Sequence, residues 1–240
     1  MSTIILLHGM TGTPVEMAGI ATVLSARGHK VILPELPGHS GGIGKLRVTH
    51  TDAYLKFAEE ILIKLVNESR EPVSLCGLSF GAILALYLSS SLPAIVGKVA
   101  LLSVPIRFRS FMREELLTFL SLLPESVLDL LPAVQKQKRA VGYLAKQHIC
   151  LPQHSIGAAA RLVKIRRKIL SNLRSVGSPL LVLQDPKDHH LSIDGVAELR
   201  KLAVNTTISV EWMRGGEHEL PLGHMCQAVE NRIVSFFDQK

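Results

Sequence analysis

One stretch of the chain limits what it can fold into more than any other. Val73-Ser74-Leu75-Cys76 reads as a short buried strand, Gly77-Leu78-Ser79-Phe80-Gly81 follows at once, and residues 79–92 are then apolar on nearly every side until Pro93 ends the run. A helix that is apolar all round belongs inside a molecule, and a residue preceding proline is pushed out of the helical region. A strand feeding such a helix needs cover on both faces of its sheet, which points to a parallel sheet layered between helices.

The rest of the chain keeps that rhythm. Ile4 to Leu7 is a wholly apolar strand ending at His8-Gly9. Thr13-Pro14-Val15-Glu16 offers an N-cap, a proline at the first helical position and a capping-box glutamate for a helix running to Gly28. Val31 to Leu33 predicts a second strand, followed by a glycine-rich loop, Pro37-Gly38-His39-Ser40-Gly41-Gly42, and a helix over about 52–66. Val99 to Ser103 predicts a fourth strand. From about 104 to 152 the rhythm breaks into amphipathic pieces cut by Pro124 and Pro132. It then resumes with a helix at 156–173, a strand at 180–183, a helix at 194–203, a strand at 208–213 and a helix at 224–237. The expected class is α/β: a mostly parallel central sheet with helices on both faces, built from 1–103 and 153–240, with a helical cap at 104–152 inserted after the fourth recognisable strand.

Composition bounds the partners. The chain has 240 residues, enough for one such core, and at 47% hydrophobic and 20% charged it is not a disordered sequence. Its net charge of +7 is uneven: residues 104–174 hold 13 Lys and Arg against 4 Asp and Glu, while the other 169 residues carry a net −2. The basic segment is expected to be a solvated face of amphipathic helices, with steering of anionic substrates or carriers as the alternative. Arg166-Arg167-Lys168 sits on one helix without interleaved aromatics, so no nucleic-acid partner is expected. Cys76, Cys150 and Cys226 are too few and too scattered for a disulfide framework or a zinc site. With no signal-peptide pattern and no long apolar run, a cytoplasmic protein without an integral membrane segment is expected. The oligomeric state stays open.

The chemistry lies in G-x-S-x-G at 77–81. Between a buried strand and an apolar helix, small residues on either side permit a sharp corner that lifts Ser79 Oγ over the sheet edge and leaves the Phe80 N–H at a helix N-terminus. A serine hydroxyl needs a base to take its proton, and the base an acid to orient it. His218 and His224 follow the last strand; Asp185, Asp188 and Asp194 follow the one before. His29, His50, His148 and His154 lie at helix edges or in the insertion and are expected at the surface. His189 and His190 are adjacent and cannot close a metal site without a third ligand, so neither a metal nor a cofactor is expected.

Several spaced motifs fall in one order: Leu6-Leu7-His8-Gly9-Met10-Thr11-Gly12, Pro37-Gly38-His39, Gly77 to Gly81, Gln184 with Asp188, and Trp212 six residues before His218. In this the chain resembles the α/β-hydrolase family, and within it the small bacterial carboxylesterases and monoacylglycerol lipases. The resemblance implies a serine hydrolase acting on small-molecule esters through an acyl-enzyme on Ser79; an apolar pocket under the cap would favour medium acyl or aryl esters, monoacylglycerols included. It implies His218 rather than His224 as base and Asp188 rather than Asp185 as acid. It implies the Met10 and Phe80 N–H groups as oxyanion hole, with His8, Gly9, Gly77 and Gly81 supporting the loops.

Two alternatives accompany that reading. A thioesterase acting on acyl-CoA or acyl carrier protein would use the same chemistry with the basic insertion as a dock; a hydrolase-fold binding protein would lack catalysis. Phe108, Phe111, Met112, Leu116, Phe119, Leu120, Val127, Leu128, Leu130 and Leu131 are candidates for an acyl-chain pocket under the cap.

Overall fold

The computed structural model describes residues 1–135, 150–151 and 153–239. In chain order it contains β1 (Thr3–Leu7), α1 (Ala18–Ala26), β2 (Lys30–Ile32), α2 (Gly42–Arg47), α3 (Thr51–Ser69), β3 (Val73–Leu78), α4 (Phe80–Ser91) and β4 (Val96–Leu102). The expected insertion contributes α5 (Phe111–Leu120), α6 (Glu125–Leu128) and β5 (Ala133–Gln135), and β6 (Gln153–Ser155) follows just past its end. Then come α7 (Ile156–Leu170), β7 (Leu180–Gln184), α8 (Asp194–Leu202), β8 (Ile208–Trp212) and α9 (Cys226–Asp238).

Six strands form one sheet in the order β2-β1-β3-β4-β7-β8, every neighbouring pair parallel. Because strand side chains alternate between faces, Ile5, Leu7, Leu75, Leu101 and Val182 enter one apolar layer with α3, α4 and α7. Ile4, Leu6, Cys76, Ala100 and Leu183 enter a second layer with α1 and α9. Both faces are dry, which is why the strands read as continuous apolar runs rather than alternating ones. In α4 every residue from Phe80 to Ser90 is buried, as its composition requires.

Four expectations need correction. Thr13 makes no side-chain cap, and Pro14–Met17 is a tight 3-10 turn; Glu16 is buried and turns back to Gly9 instead of boxing a helix start. The glycine-rich loop continues into the short α2, which buries Leu46. The insertion is not wholly helical, since β5 and β6 pair antiparallel; residues 136–149 and 152 of the expected cap, with His148, lie outside the described residues. Finally, the basic face is not simply solvated. Arg161 is fully buried, with Nε 2.7 Å from Glu125, Nη2 2.5 Å from Asp129 and Nη1 donating to the Arg47 carbonyl at 2.6 Å. It ties α6 to α7 and to the end of α2. Arg166, also buried, pairs with Glu114 and lies over the Phe108 ring.

Candidate active site

The strand ends of β1, β3, β7 and β8 converge on one edge of the sheet. Ser79 sits at the β3–α4 corner with φ 52° and ψ −108°, a conformation a side-chain-bearing residue holds only when its surroundings enforce it. Enforcement comes from close packing. A Cβ on Gly77 would lie 2.3 Å from the Gly81 backbone, and one on Gly81 would lie 2.0 Å from the Leu7 carbonyl oxygen. The Ser79 N–H donates to the Leu102 carbonyl at 2.8 Å, pinning the corner to the end of β4.

Ser79, His218 and Asp188 are brought together. His218 Nε2 is 3.0 Å from Ser79 Oγ, and His218 Nδ1 is 2.7 Å from Asp188 Oδ2. Asp188 is completely buried, and its other oxygen accepts the His190 and Leu191 N–H groups at 2.7 and 3.1 Å. Burial opposes charge on both partners. It is outweighed: the adjacent carboxylate raises His218 above its ordinary value, and His218 with the two backbone donors lowers Asp188 below its own. His224 is exposed in the turn before α9, outside this line of contacts.

Two peptide units beside Ser79 are held by their carbonyls. Gly9 O is contacted by His8 Nδ1 at 2.9 Å and accepts the Gly12 N–H at 3.2 Å. In a trans peptide the N–H points opposite its C=O, so the Met10 N–H is turned the other way, and Met10 lines the cavity over Ser79. Ser79 O likewise accepts the Ala82 and Ile83 N–H groups, leaving the Phe80 N–H at the open end of α4. His8 is itself fully buried, and its Nε2 accepts the Leu36 N–H at 3.0 Å. Burial and the neighbouring His39 push its pKa down to about 3, so the ring is neutral with its proton on Nδ1.

Three supporting roles differ from, or are absent in, what the sequence suggests. Glu16 Oε2 accepts the Gly9 N–H at 2.9 Å, and a Cβ on Gly12 would sit only 1.9 Å from that oxygen; in sequence, the Thr13-to-Glu16 pattern matches a helix cap instead. Ser103, at φ 47°, donates from Oγ to the His218 carbonyl at 2.7 Å. Asp185 accepts the Gly215 and Glu217 N–H groups, each at 3.0 Å, and so fastens the loop that bears His218. Asp194, the first residue of α8, accepts a hydrogen bond from the Ser192 hydroxyl at 2.9 Å. Of the histidines expected at the surface, His50 is exposed, but His29 is buried between the Ser2 N–H and Asp238, and His154 lines the cavity.

That cavity, about 110 Å³, is walled by Ser79 and His218, by Met10 and Glu16, and from the insertion by Phe108 and Arg113. A second cavity of about 570 Å³ shares Arg113, His154, Ala159 and His190 with it and is lined beyond them by Leu116, Leu117, Val134 and Ile156. Phe111, Met112, Phe119 and Leu130, expected in an acyl pocket, face outward instead.

The family model described as "Serine aminopeptidase, S33" matches residues 1–222. A carboxylesterase of Bacillus subtilis (strain 168) is 21% identical over 242 residues, 98% of this chain and 92% of the relative. A thermostable monoacylglycerol lipase of Bacillus sp. (strain H-257) is 33% identical over 96 residues, 40% of this chain and 38% of the relative. Among solved structures, one reported for metagenome-derived lipolytic enzymes superposes with a TM-score of 0.80 at 18% identity, covering 98% of this chain and 92% of the other. The monoacylglycerol lipase of Paleococcus ferrophilus gives 0.76 at 17% identity, covering 98% and 93%. At such identities the structures attest the fold alone.

Proposed function

The chain belongs to the serine aminopeptidase S33 family of α/β-hydrolases, and from that membership we propose that it cleaves carboxylic esters through an acyl-enzyme on Ser79, with medium acyl or aryl esters, monoacylglycerols among them, as the substrate class. The observation that supports this best is the unbroken line from Ser79 Oγ through His218 to the buried Asp188. The named sequence relatives, a carboxylesterase and a monoacylglycerol lipase, support ester rather than amide substrates.

In the proposed mechanism Ser79 Oγ attacks the ester carbonyl carbon while His218 Nε2 takes the hydroxyl proton. Asp188 keeps the ring oriented and balances the imidazolium. Charge developing on the carbonyl oxygen is received by the Met10 and Phe80 N–H groups, already aimed before substrate arrives. The C–O bond then breaks, and His218 returns its proton to the departing alkoxide, releasing the alcohol. Water attacks the acyl-enzyme by the same route in reverse, giving the carboxylic acid and restoring Ser79.

Among the described residues no helix is long and apolar enough to cross a membrane. Three widely spaced cysteines, an odd number, support a reducing, cytoplasmic setting. Labelling by a fluorophosphonate probe, with turnover of p-nitrophenyl esters of graded chain length, tests the proposal. Wild type should be labelled and active and Ser79→Ala neither; a wild type that does neither overturns it.

A further inference from the structure

Arg113, in the first turn of α5, puts its guanidinium into the wall of the cavity that Ser79 and His218 also line. The fold does not explain it there. A cation in the first turn opposes the helix dipole, and burial disfavours this one, lowering its pKa. Arg113 forms no ion pair with any described residue, and residues 136–149 and 152 contain neither Asp nor Glu. The neighbouring Glu114 is occupied by Arg166 and the Phe108 N–H.

What Arg113 does contact is neutral. It lies 5.3 Å from the centre of the Phe108 ring, and Nη1 is 3.1 Å from His190 Nδ1. Burial and the nearby His218 push the His190 pKa down to about 3, so Nδ1 accepts from the guanidinium and the ring proton sits on Nε2. The His190 ring is in turn 5.1 Å, edge to face, from that of His218. A cation without a counter-charge thus stands one imidazole beyond the reacting pair.

Resting on the ester-hydrolase reading above, we propose that Arg113 recognises an oxyanion, carboxylate or phosphate, carried by the ester substrate, so that the preferred substrates are anionic esters. A guanidinium offers such a group two parallel hydrogen bonds. The cavity also holds two carboxylates. Neither forms an ion pair with Arg113: Glu16 accepts the Gly9 N–H, and both favour positive charge on His218.

The test compares matched esters on the full-length protein by proton release. Monomethyl glutarate is set against its neutral monoamide, and acetylated hydroxybutyrate against its amide; acetylated hydroxypropyl phosphate supplies the phosphate, and acetylcholine a cation. Wild type should favour the anion over its neutral match in kcat/KM by about tenfold or more, the scale of a charge-assisted hydrogen bond. The better anion identifies carboxylate or phosphate. In Arg113→Gln that ratio should collapse toward one, in Arg113→Lys it should partly recover, and inhibition by free glutarate or phosphate should weaken in step. Melting curves check folding, and if the Gln variant does not fold, a reduced ratio in the Lys variant decides. Equal or better turnover of the amides or acetylcholine, or a ratio unchanged in both variants, overturns the inference while the hydrolase reading stands. Absence of both ester turnover and fluorophosphonate labelling overturns the two together.

Discussion

Asp185 and Asp188 lie one turn apart after β7 and hold the same histidine by different parts: Asp188 takes the ring at Nδ1, while Asp185 takes the Gly215 and Glu217 N–H groups of the loop on which that ring is mounted. In the proposed mechanism the first contact stabilises the charge that appears on the ring. The second fixes where the ring stands. Asp188→Asn should therefore lower kcat by roughly three to four orders of magnitude, and Asp185→Ala by about a hundredfold through misplacement. Equal losses in the two variants would show that the division is wrong.

The pH profile follows from the same pair. His218 must be neutral to accept the Ser79 proton, and its pKa lies above the ordinary histidine value because Asp188 favours the imidazolium over the opposition of burial. The acid limb of kcat/KM should thus turn over above pH 6.5. Removing the carboxylate in Asp188→Asn should move that limb to lower pH, measured on the residual activity. A limb that stays in place would separate His218 from the titration.

How far the sequence went, and where it stopped, has a physical basis. Side chains facing two dry layers leave unbroken apolar runs, so the strands and the all-buried α4 were legible, and the backbone demands of Gly77 and Gly81 made the Ser79 corner legible too. Ser79, Asp188 and His218, to which the motifs and their order pointed, are brought into contact. Glu16 was misread because T-P-x-E satisfies a helix cap and a loop clamp equally well until the three-dimensional position of Gly9 is known. Arg161 and Arg166 were read as surface charge because their partners, Glu125, Asp129 and Glu114, lie at least 32 residues away in sequence. Long-range pairing leaves no local pattern.

Glu16 offers its own prediction. Glu16→Gln keeps an oxygen that can accept the Gly9 N–H and should retain turnover within about tenfold. Glu16→Ala frees the loop ahead of the Met10 N–H and should lower kcat by about a hundredfold or more, the scale of losing one oxyanion donor. Gly12→Ala should mimic Glu16→Ala, because its Cβ would displace the carboxylate. Steady-state kinetics on the three variants, beside their melting curves, checks this.

Acid should destabilise the fold partly through His8. The folded ring resists protonation down to about pH 3, whereas the unfolded chain binds the proton near 6.5. Its contribution is therefore complete above pH 6.5 and is lost progressively as pH falls from there toward about 3. Urea midpoints at about pH 7 and about pH 4.5 should show this loss, and His8→Gln, which can still accept the Leu36 N–H, should show a smaller pH dependence.

Arg161 anchors the insertion. Arg161→Leu leaves Glu125 and Asp129 without their shared cation and should cost about 3 kcal/mol, read from urea unfolding. Since Glu125 also keeps Lys164 and Thr51, Arg161→Lys should recover part of the loss. A variant as stable as wild type would mean that the insertion is held by its apolar contacts instead.

The tip of β4 touches both halves of the proposed reacting pair, through Leu102 O at the Ser79 N–H and Ser103 Oγ at the His218 carbonyl. Two adjacent residues thus serve as a common datum from which nucleophile and base are gauged. Breathing of the outer strands or tilting of the insertion moves both references together, so the gap across which the proton must jump is an internal dimension of one strand end and not the accumulated error of a whole molecule.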